Sequence, residues 1–115
     1  MGAAPSAGTT LCALADLGDP GAKGFEFRDG DALFNAFIVR TGDRVFGYED
    51  RCPHAGWPLS LAPDKYLTRE GDLILCAGHG ALFRLKDGIC VGGPCGGKRL
   101  SPWPVRVEDG LVQAA

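Results

Sequence analysis

The chain has 115 residues, a formal net charge of −2, a pI near 5.6 and 45% hydrophobic residues. That length suits one domain with one core. The charge offers no basic stripe for nucleic acid, no apolar run is long enough for a membrane-spanning helix, and the first ten residues lack the basic and apolar regions of a secretory leader.

Eighteen glycines and eight prolines favour short strands and shaped loops over long helices. Residues 1–8 are small and polar and are expected to be mobile. Thr9 to Leu17 reads as a strand and the following Gly-Asp-Pro-Gly-Ala-Lys-Gly as a turn. A strand carrying Phe25 and Phe27 closes at Asp29-Gly30. Two apolar runs, Phe37 to Arg40 and Arg44 to Tyr48, flank Thr41-Gly42-Asp43 as the arms of a hairpin. The best helical stretch, Leu59 to Tyr66, is broken by Pro63. Asp-Leu-Ile-Leu-Cys, ending at Cys76, and Ala81 to Leu85 are short strands around Gly78-His79-Gly80. Further hairpin turns fall at Asp87-Gly88 and Asp109-Gly110. The pattern predicts a single small antiparallel all-β domain over 9–115, a barrel or sandwich with no long helix.

Both histidines of the chain follow a cysteine closely: Cys52-x-His54, then 21 residues, then Cys76-x-x-His79. A lone cysteine is often a small core hydrophobe, and a lone histidine an ordinary polar group. Two such pairs, each on a Gly- and Pro-lined loop after an apolar strand, point instead to a shared metal site with two thiolates and two imidazoles. Tetrahedral zinc takes such donors, but structural zinc sites usually keep their cysteines together and their histidines together. One of each per loop suits a [2Fe-2S] cluster in which one iron takes both cysteines and the other both histidines.

The stretches Cys52-Pro-His-Ala-Gly-Trp-Pro-Leu-Ser60 and Cys76-Ala-Gly-His-Gly-Ala-Leu-Phe-Arg-Leu-Lys-Asp-Gly-Ile-Cys-Val-Gly-Gly-Pro94 resemble the two cluster loops and the covering loop of Rieske iron–sulfur proteins. All four positions of the family's C-x-H and C-x-x-H motifs match, and the likeness runs from about Asp50 to Val107. The resemblance implies a Rieske-like barrel or sandwich with a cluster-binding subdomain. It implies loops near 50–60, 76–83 and 92–95, and one [2Fe-2S] cluster per chain on Cys52, His54, Cys76 and His79. The inter-loop spacing is several residues longer than in many small ferredoxins of this kind, with the extra residues falling in Ala62 to Gly71.

Charge counting gives the histidines their purpose. The oxidised core carries +2, so two thiolates and two neutral imidazoles leave the site neutral, whereas four thiolates leave it at −2. At an effective dielectric of about 20 and roughly 5 Å, each unit charge costs about 3 kcal/mol, or on the order of 140 mV for one electron. Two charges span most of the gap between all-cysteine plant-type centres and Rieske centres. High-potential respiratory Rieske proteins add a disulfide between the loops and aim a serine and a tyrosine hydroxyl at the cluster. The matching positions here are Trp57 and Gly78 for the disulfide, and Ala81 and Phe83 for the hydroxyls. Fewer donors to sulfur place this chain in the low-potential, ferredoxin-type branch, near −150 mV.

Gly92-Gly93-Pro94 matches the covering loop. Cys90 and Cys95 flank it; a local disulfide is open to them, the favoured reading being two reduced, packed thiols in a reducing compartment, and Cys12 reads as core. Trp57 and Pro58, with Lys98, Arg99 and Arg106, are candidate partner contacts. With both histidines used, no mononuclear 2-His-1-carboxylate iron site can be built, so the chain reads as a carrier and not as an enzyme. The resemblance implies a cytoplasmic one-electron carrier, a monomer or weak oligomer, running from a flavin-dependent reductase to a terminal oxygenase or other oxidoreductase, with no nucleic-acid or membrane partner. The alternatives are a small subunit of a larger, nitrite-reductase-like complex and a structural zinc-binding interaction domain.

Overall fold

Strand β3, Ala32–Thr41, runs through the middle of the molecule. Four consecutive residues, Ala36, Phe37, Ile38 and Val39, are all fully buried. Successive side chains on a strand point to opposite faces, so an apolar run of this kind belongs to a sheet covered on both sides. The computed structural model describes residues 4–51, 66–76, 80–93 and 97–115, and within these the arrangement is three antiparallel sheets.

The central sheet has the order β2 (Gly21–Asp29), β3, β4 (Arg44–Glu49), β8 (Pro102–Trp103). A second sheet places β10 (Leu111–Ala114) between β1 (Thr10–Ala13) and β9 (Val105–Glu108). It packs on one face of β3, where Ala36 and Ile38 meet Leu17, Trp103 and Val112. Trp103 is the hub of this layer, with the rings of Phe25, Phe27 and Phe34 set edge-on to it at centroid distances of 6.0, 5.8 and 5.6 Å. Such geometry aligns the positive ring edge with the negative ring face.

The third sheet, β5 (Leu73–Cys76), β6 (Ala81–Arg84) and β7 (Cys90–Gly92), covers the other face of β3. Phe37 and Val39 meet Tyr48, Tyr66, Ile74, Cys76, Ala81, Phe83 and Leu100 in one buried cluster. The all-β antiparallel class expected from the sequence is therefore present, and this third sheet is a distinct three-stranded unit carrying Cys76.

The hairpin turns fall as the sequence predicts. Asp109 and Gly110 have φ of 53° and 75° between the paired residues Glu108 and Leu111. Two successive left-handed residues are the type I′ geometry that Asp-Gly favours because it matches strand twist. Two readings are corrected. The strand expected over Thr9 to Leu17 ends at Ala13, and Leu14–Leu17 is a 3-10 turn that buries Leu17. The glycine-rich stretch read as a turn is half strand, since Gly21 to Gly24 pair with Arg40 to Phe37. The Gly8 amide donates to the Ala114 carbonyl at 2.7 Å. The stretch read as the best helical candidate lies outside the described residues except for Tyr66.

Candidate metal centre

Of the four predicted ligands, Cys76 is described, while Cys52, His54 and His79 lie outside the described residues. Cys76 is the last residue of β5 and is only 1% exposed. Alternation along β5 turns Ile74 and Cys76 inward, both into the cluster with Phe37 and Phe83. The thiol is thus held at a strand end by packing on several sides, which is how a rigid scaffold presents a residue at the root of a loop. Directly across the ladder, Cys76 pairs with Ala81. The Gly80 amide donates to the Cys76 carbonyl at 2.9 Å, and Gly80 takes a φ of 71°, so the ladder that ends at Cys76 on one strand resumes at Gly80 and Ala81 on the other.

The segment assigned as a cover approaches Gly80 and Ala81. Gly93 has a φ of 83°, and a Cβ there would lie 2.7 Å from the Ala81 Cα and 2.7 Å from the Gly80 carbonyl oxygen. Both obstructing groups are backbone, so only glycine fits. Gly93 therefore lies against the backbone of Gly80 and Ala81, where the second Cys/His stretch rejoins β6. On β6 the two positions matched to hydroxyl donors in high-potential relatives are Ala81 and Phe83, both 0% exposed and both without a polar side-chain atom.

The β6–β7 turn is tied from three directions. The Arg84 guanidinium pairs with the Asp87 carboxylate, Asp87 accepts the Ile89 amide at 3.1 Å, and the Tyr48 hydroxyl donates to the Leu85 carbonyl at 2.5 Å. The hydrogen bond from Arg84 holds the Asp87 carboxyl below its ordinary range. Burial pushes the Tyr48 phenol up to about 12, the nearby Asp87 charge adding to the rise and Arg99 opposing it.

The segment containing Cys52 and His54 is anchored at both ends. Before it, the Asp50 amide donates to the Asn35 carbonyl at 2.9 Å. After it, the Leu75 amide donates to the Tyr66 carbonyl at 2.9 Å, and Leu67 bridges Ile74. The Tyr66 ring stacks on Phe37 at 4.3 Å with an interplanar angle of 4°, and its hydroxyl donates to Asp50 Oδ2 at 2.8 Å. Nothing in residue spacing points to Tyr66 or Asp50, since their meeting depends on how β3, β4 and β5 stack.

Two cysteine readings have different outcomes. Cys12 carries a half-buried thiol whose pKa is raised, mainly by burial and then by Asp16, and it packs against the Trp103 cluster. Cys90 is disulfide-bonded, which corrects the reading of a reduced, packed thiol. Its partner lies outside the described residues. A half-buried position on a strand suits a thiol and a bridged sulfur equally, so burial alone could not separate them.

The model of the Rieske [2Fe-2S] domain matches residues 9–107. The chain belongs to the Rieske [2Fe-2S] domain family. It is 32% identical over 105 residues to ferredoxin CarAc of Metapseudomonas resinovorans, covering 91% of this chain and 90% of that protein. Among solved structures it resembles a chain in a complex of reduced oxygenase and oxidized ferredoxin in carbazole 1,9a-dioxygenase. That likeness has a TM-score of 0.71 and 29% identity, over 92% of this chain and 90% of the other. The ferredoxin of carbazole 1,9a-dioxygenase from Nocardioides aromaticivorans IC177 shares the fold at a TM-score of 0.71 and 24% identity, over 93% and 97% of the two chains. The protein is thus a Rieske-type ferredoxin: a [2Fe-2S] electron carrier and not itself a catalyst.

The described residues fit that cofactor. A buried, strand-anchored thiol at a loop root is a soft ligand suited to iron–sulfur binding, and the glycine-only contact of Gly93 lets a cover lie close. No group of three or more metal-binding side chains forms among the described residues, as follows when Cys76 is the one described member of the predicted four. Among the described residues no helix is long and apolar enough to cross a membrane.

Proposed function

We propose that Cys52 and Cys76 hold one iron through thiolates, that His54 and His79 hold the other through imidazoles, and that this chain carries single electrons from a flavin-dependent reductase to a terminal oxygenase in the cytoplasm. When bound, the cluster supplies a one-electron couple. The chain's residues do the rest. Cys76 fixes one thiolate against the core, and Gly93 keeps the cover within contact of the second loop's root. Ala81 and Phe83 offer no hydroxyl toward sulfur, which leaves added negative charge less stabilised and keeps the potential near the low end of the Rieske range, about −150 mV. The two histidines keep the oxidised site near neutral and lift it above an all-thiolate centre.

The observation that carries this reading is the buried Cys76 at the end of β5, paired with Ala81 against which Gly93 lies, in a chain whose two histidines both follow cysteines at the family's spacing. The oxygenase assignment is supported by the 29% identity to a chain from an oxygenase–ferredoxin complex. The family match over 9–107 supports reading 9–115 as a single domain.

Iron and acid-labile sulfide assays on the purified chain, with EPR of the reduced protein, test the ligand set. Two irons, two sulfides and nitrogen hyperfine coupling lost stepwise in His54→Ala and His79→Ala are expected. One zinc and no sulfide, or coupling unaffected by both changes, would refute it. Anaerobic reduction by a flavoprotein recovered from the native host, followed by oxidation by the recovered oxygenase, tests the carrier role. Failure of both half-reactions would overturn the partner assignment.

A further inference from the structure

Tyr66 makes two connections that no other described residue makes together. Its carbonyl accepts the Leu75 amide at 2.9 Å, one residue before Cys76. Its hydroxyl donates to Asp50 Oδ2 at 2.8 Å, two residues before Cys52. Between these two points in the sequence lie the 14 residues from Cys52 to Lys65. The ring that spans them is 6% exposed and lies flat on Phe37 at 4.3 Å. An aromatic side chain held this way has few rotamers to lose and acts as a rigid spacer.

The hydroxyl is also confined from behind. A Cβ on Gly24 would lie 2.6 Å from it, so β2 leaves room for the oxygen and nothing more. Tyr48 provides the contrast within the same core cluster. Its ring is tilted against Phe37 at 5.9 Å, and its hydroxyl goes to a main-chain carbonyl, that of Leu85. That bond satisfies a buried donor and ties down the β6–β7 turn. The Tyr66 bond instead joins, through a side-chain carboxylate, the residues that flank Cys52–Lys65 on either side.

We propose that Tyr66 is a positioning residue: by donating to Asp50 it fixes the separation of the two ends of the Cys52–Lys65 segment, and so sets Cys52 and His54 in register with Cys76. The proposal rests on the ligand reading above. It makes Gly24, Tyr66 and Asp50 one device spanning β2, β4 and the approach to β5. Loss of a hydrogen bond to a charged acceptor changes an equilibrium by about tenfold or more, and here the loss falls on the register of the site.

The test compares Tyr66→Phe with Tyr48→Phe in the holoprotein. Each removes the hydroxyl of one buried tyrosine next to Phe37. Three quantities are read: the rate of iron transfer to a ferrous chelator, the g-values of the reduced protein, and the thermal midpoint. Tyr66→Phe is expected to release iron about tenfold faster than Tyr48→Phe and to shift the g-values, at a comparable loss of thermal midpoint. Gly24→Ala, which pushes on the same hydroxyl, should shift the g-values likewise, and Asp50→Asn, which keeps an acceptor oxygen, should fall between wild type and Tyr66→Phe. Equal release rates and unshifted g-values in Tyr66→Phe and Tyr48→Phe would overturn the proposal. Should Tyr66→Phe not fold, unshifted g-values in both Gly24→Ala and Asp50→Asn would do the same. Failure of the ligand reading looks different: wild-type protein itself would lack nitrogen coupling that depends on His54 and His79.

Discussion

Gly93 offers a direct measure of how closely the cover meets the second cluster loop. In Gly93→Ala the new methyl group faces two penalties. The first is a left-handed backbone at φ 83°, which costs a non-glycine residue about 1–2 kcal/mol. The second is steric, because a Cβ 2.7 Å from both the Ala81 Cα and the Gly80 carbonyl oxygen meets backbone that cannot rotate away. Overpacking of this kind costs about 1–3 kcal/mol. Gly30 isolates the first penalty, since its φ is 60° and nothing lies within 4 Å of its added Cβ. For a domain of this size about 4 °C of midpoint corresponds to 1 kcal/mol. Gly30→Ala should therefore lower the midpoint by roughly 4–8 °C and Gly93→Ala by roughly 8–20 °C. Anaerobic scans at one fixed rate, followed by far-ultraviolet circular dichroism and by cluster absorbance together, read both losses. Gly93→Ala should also lose visible absorbance before secondary structure, because the strain sits at the root of the second loop. Equal losses in the two variants, with the two probes coincident in both, would mean that the cover does not press on Gly80 and Ala81.

Two other outcomes follow from the site's electrostatics. The Tyr48 phenol is raised from 10 to about 12, chiefly by burial. A folded-state value above the unfolded one stabilises the fold fully below pH 10, and that stability is lost as pH climbs from 10 through about 12. Alkaline denaturation should accordingly steepen in this window in wild type and flatten there in Tyr48→Phe; identical profiles would refute the assignment. His79→Cys, where a cluster still assembles, should lower the reduction potential by one charge step, about 100 mV or more. An unchanged potential in protein-film voltammetry would count against charge as the origin of the Rieske offset.

Much of the fold is written in local chemistry. Asp109-Gly110 and Gly42-Asp43 announce their hairpins because two-residue turns need left-handed residues at fixed positions, and the strands on either side pair as expected. The alternation of Phe25 and Phe27 likewise marks one face of β2, which packs toward Trp103. What was not legible depends on distant partners. Pro102–Trp103 is a two-residue strand because Gly47 and Tyr48 pair with it, and its own sequence carries no strand signal. The segment from Gly21 to Gly24 looks like a turn by composition, yet it is drawn into β2 by the length of β3. Gly24 itself serves the hydroxyl of Tyr66, 42 residues later in the chain. Composition carries no trace of such a pairing.

The candidate site divides in the same way. Ligand identity is local: each histidine sits within three residues of its cysteine, so residue type and spacing alone suggest the chemistry. Ligand placement is not local. Cys76 and Tyr66 belong to the same buried cluster as Phe37 and Val39 of the central strand, and the Cys76 sheet has no other buried face to pack against among the described residues. A metal centre assembled at this edge therefore takes its rigidity from β3. Substitutions along β3 should divide by face: a cavity at Phe37, under Tyr66 and Cys76, should disturb the centre, whereas one at Ile38, on the Trp103 side, should cost stability of about 2–4 kcal/mol and leave the spectrum of the centre unchanged. A shifted spectrum from the Ile38 side would mean that the two faces of β3 are coupled and that the centre is not held by its own layer.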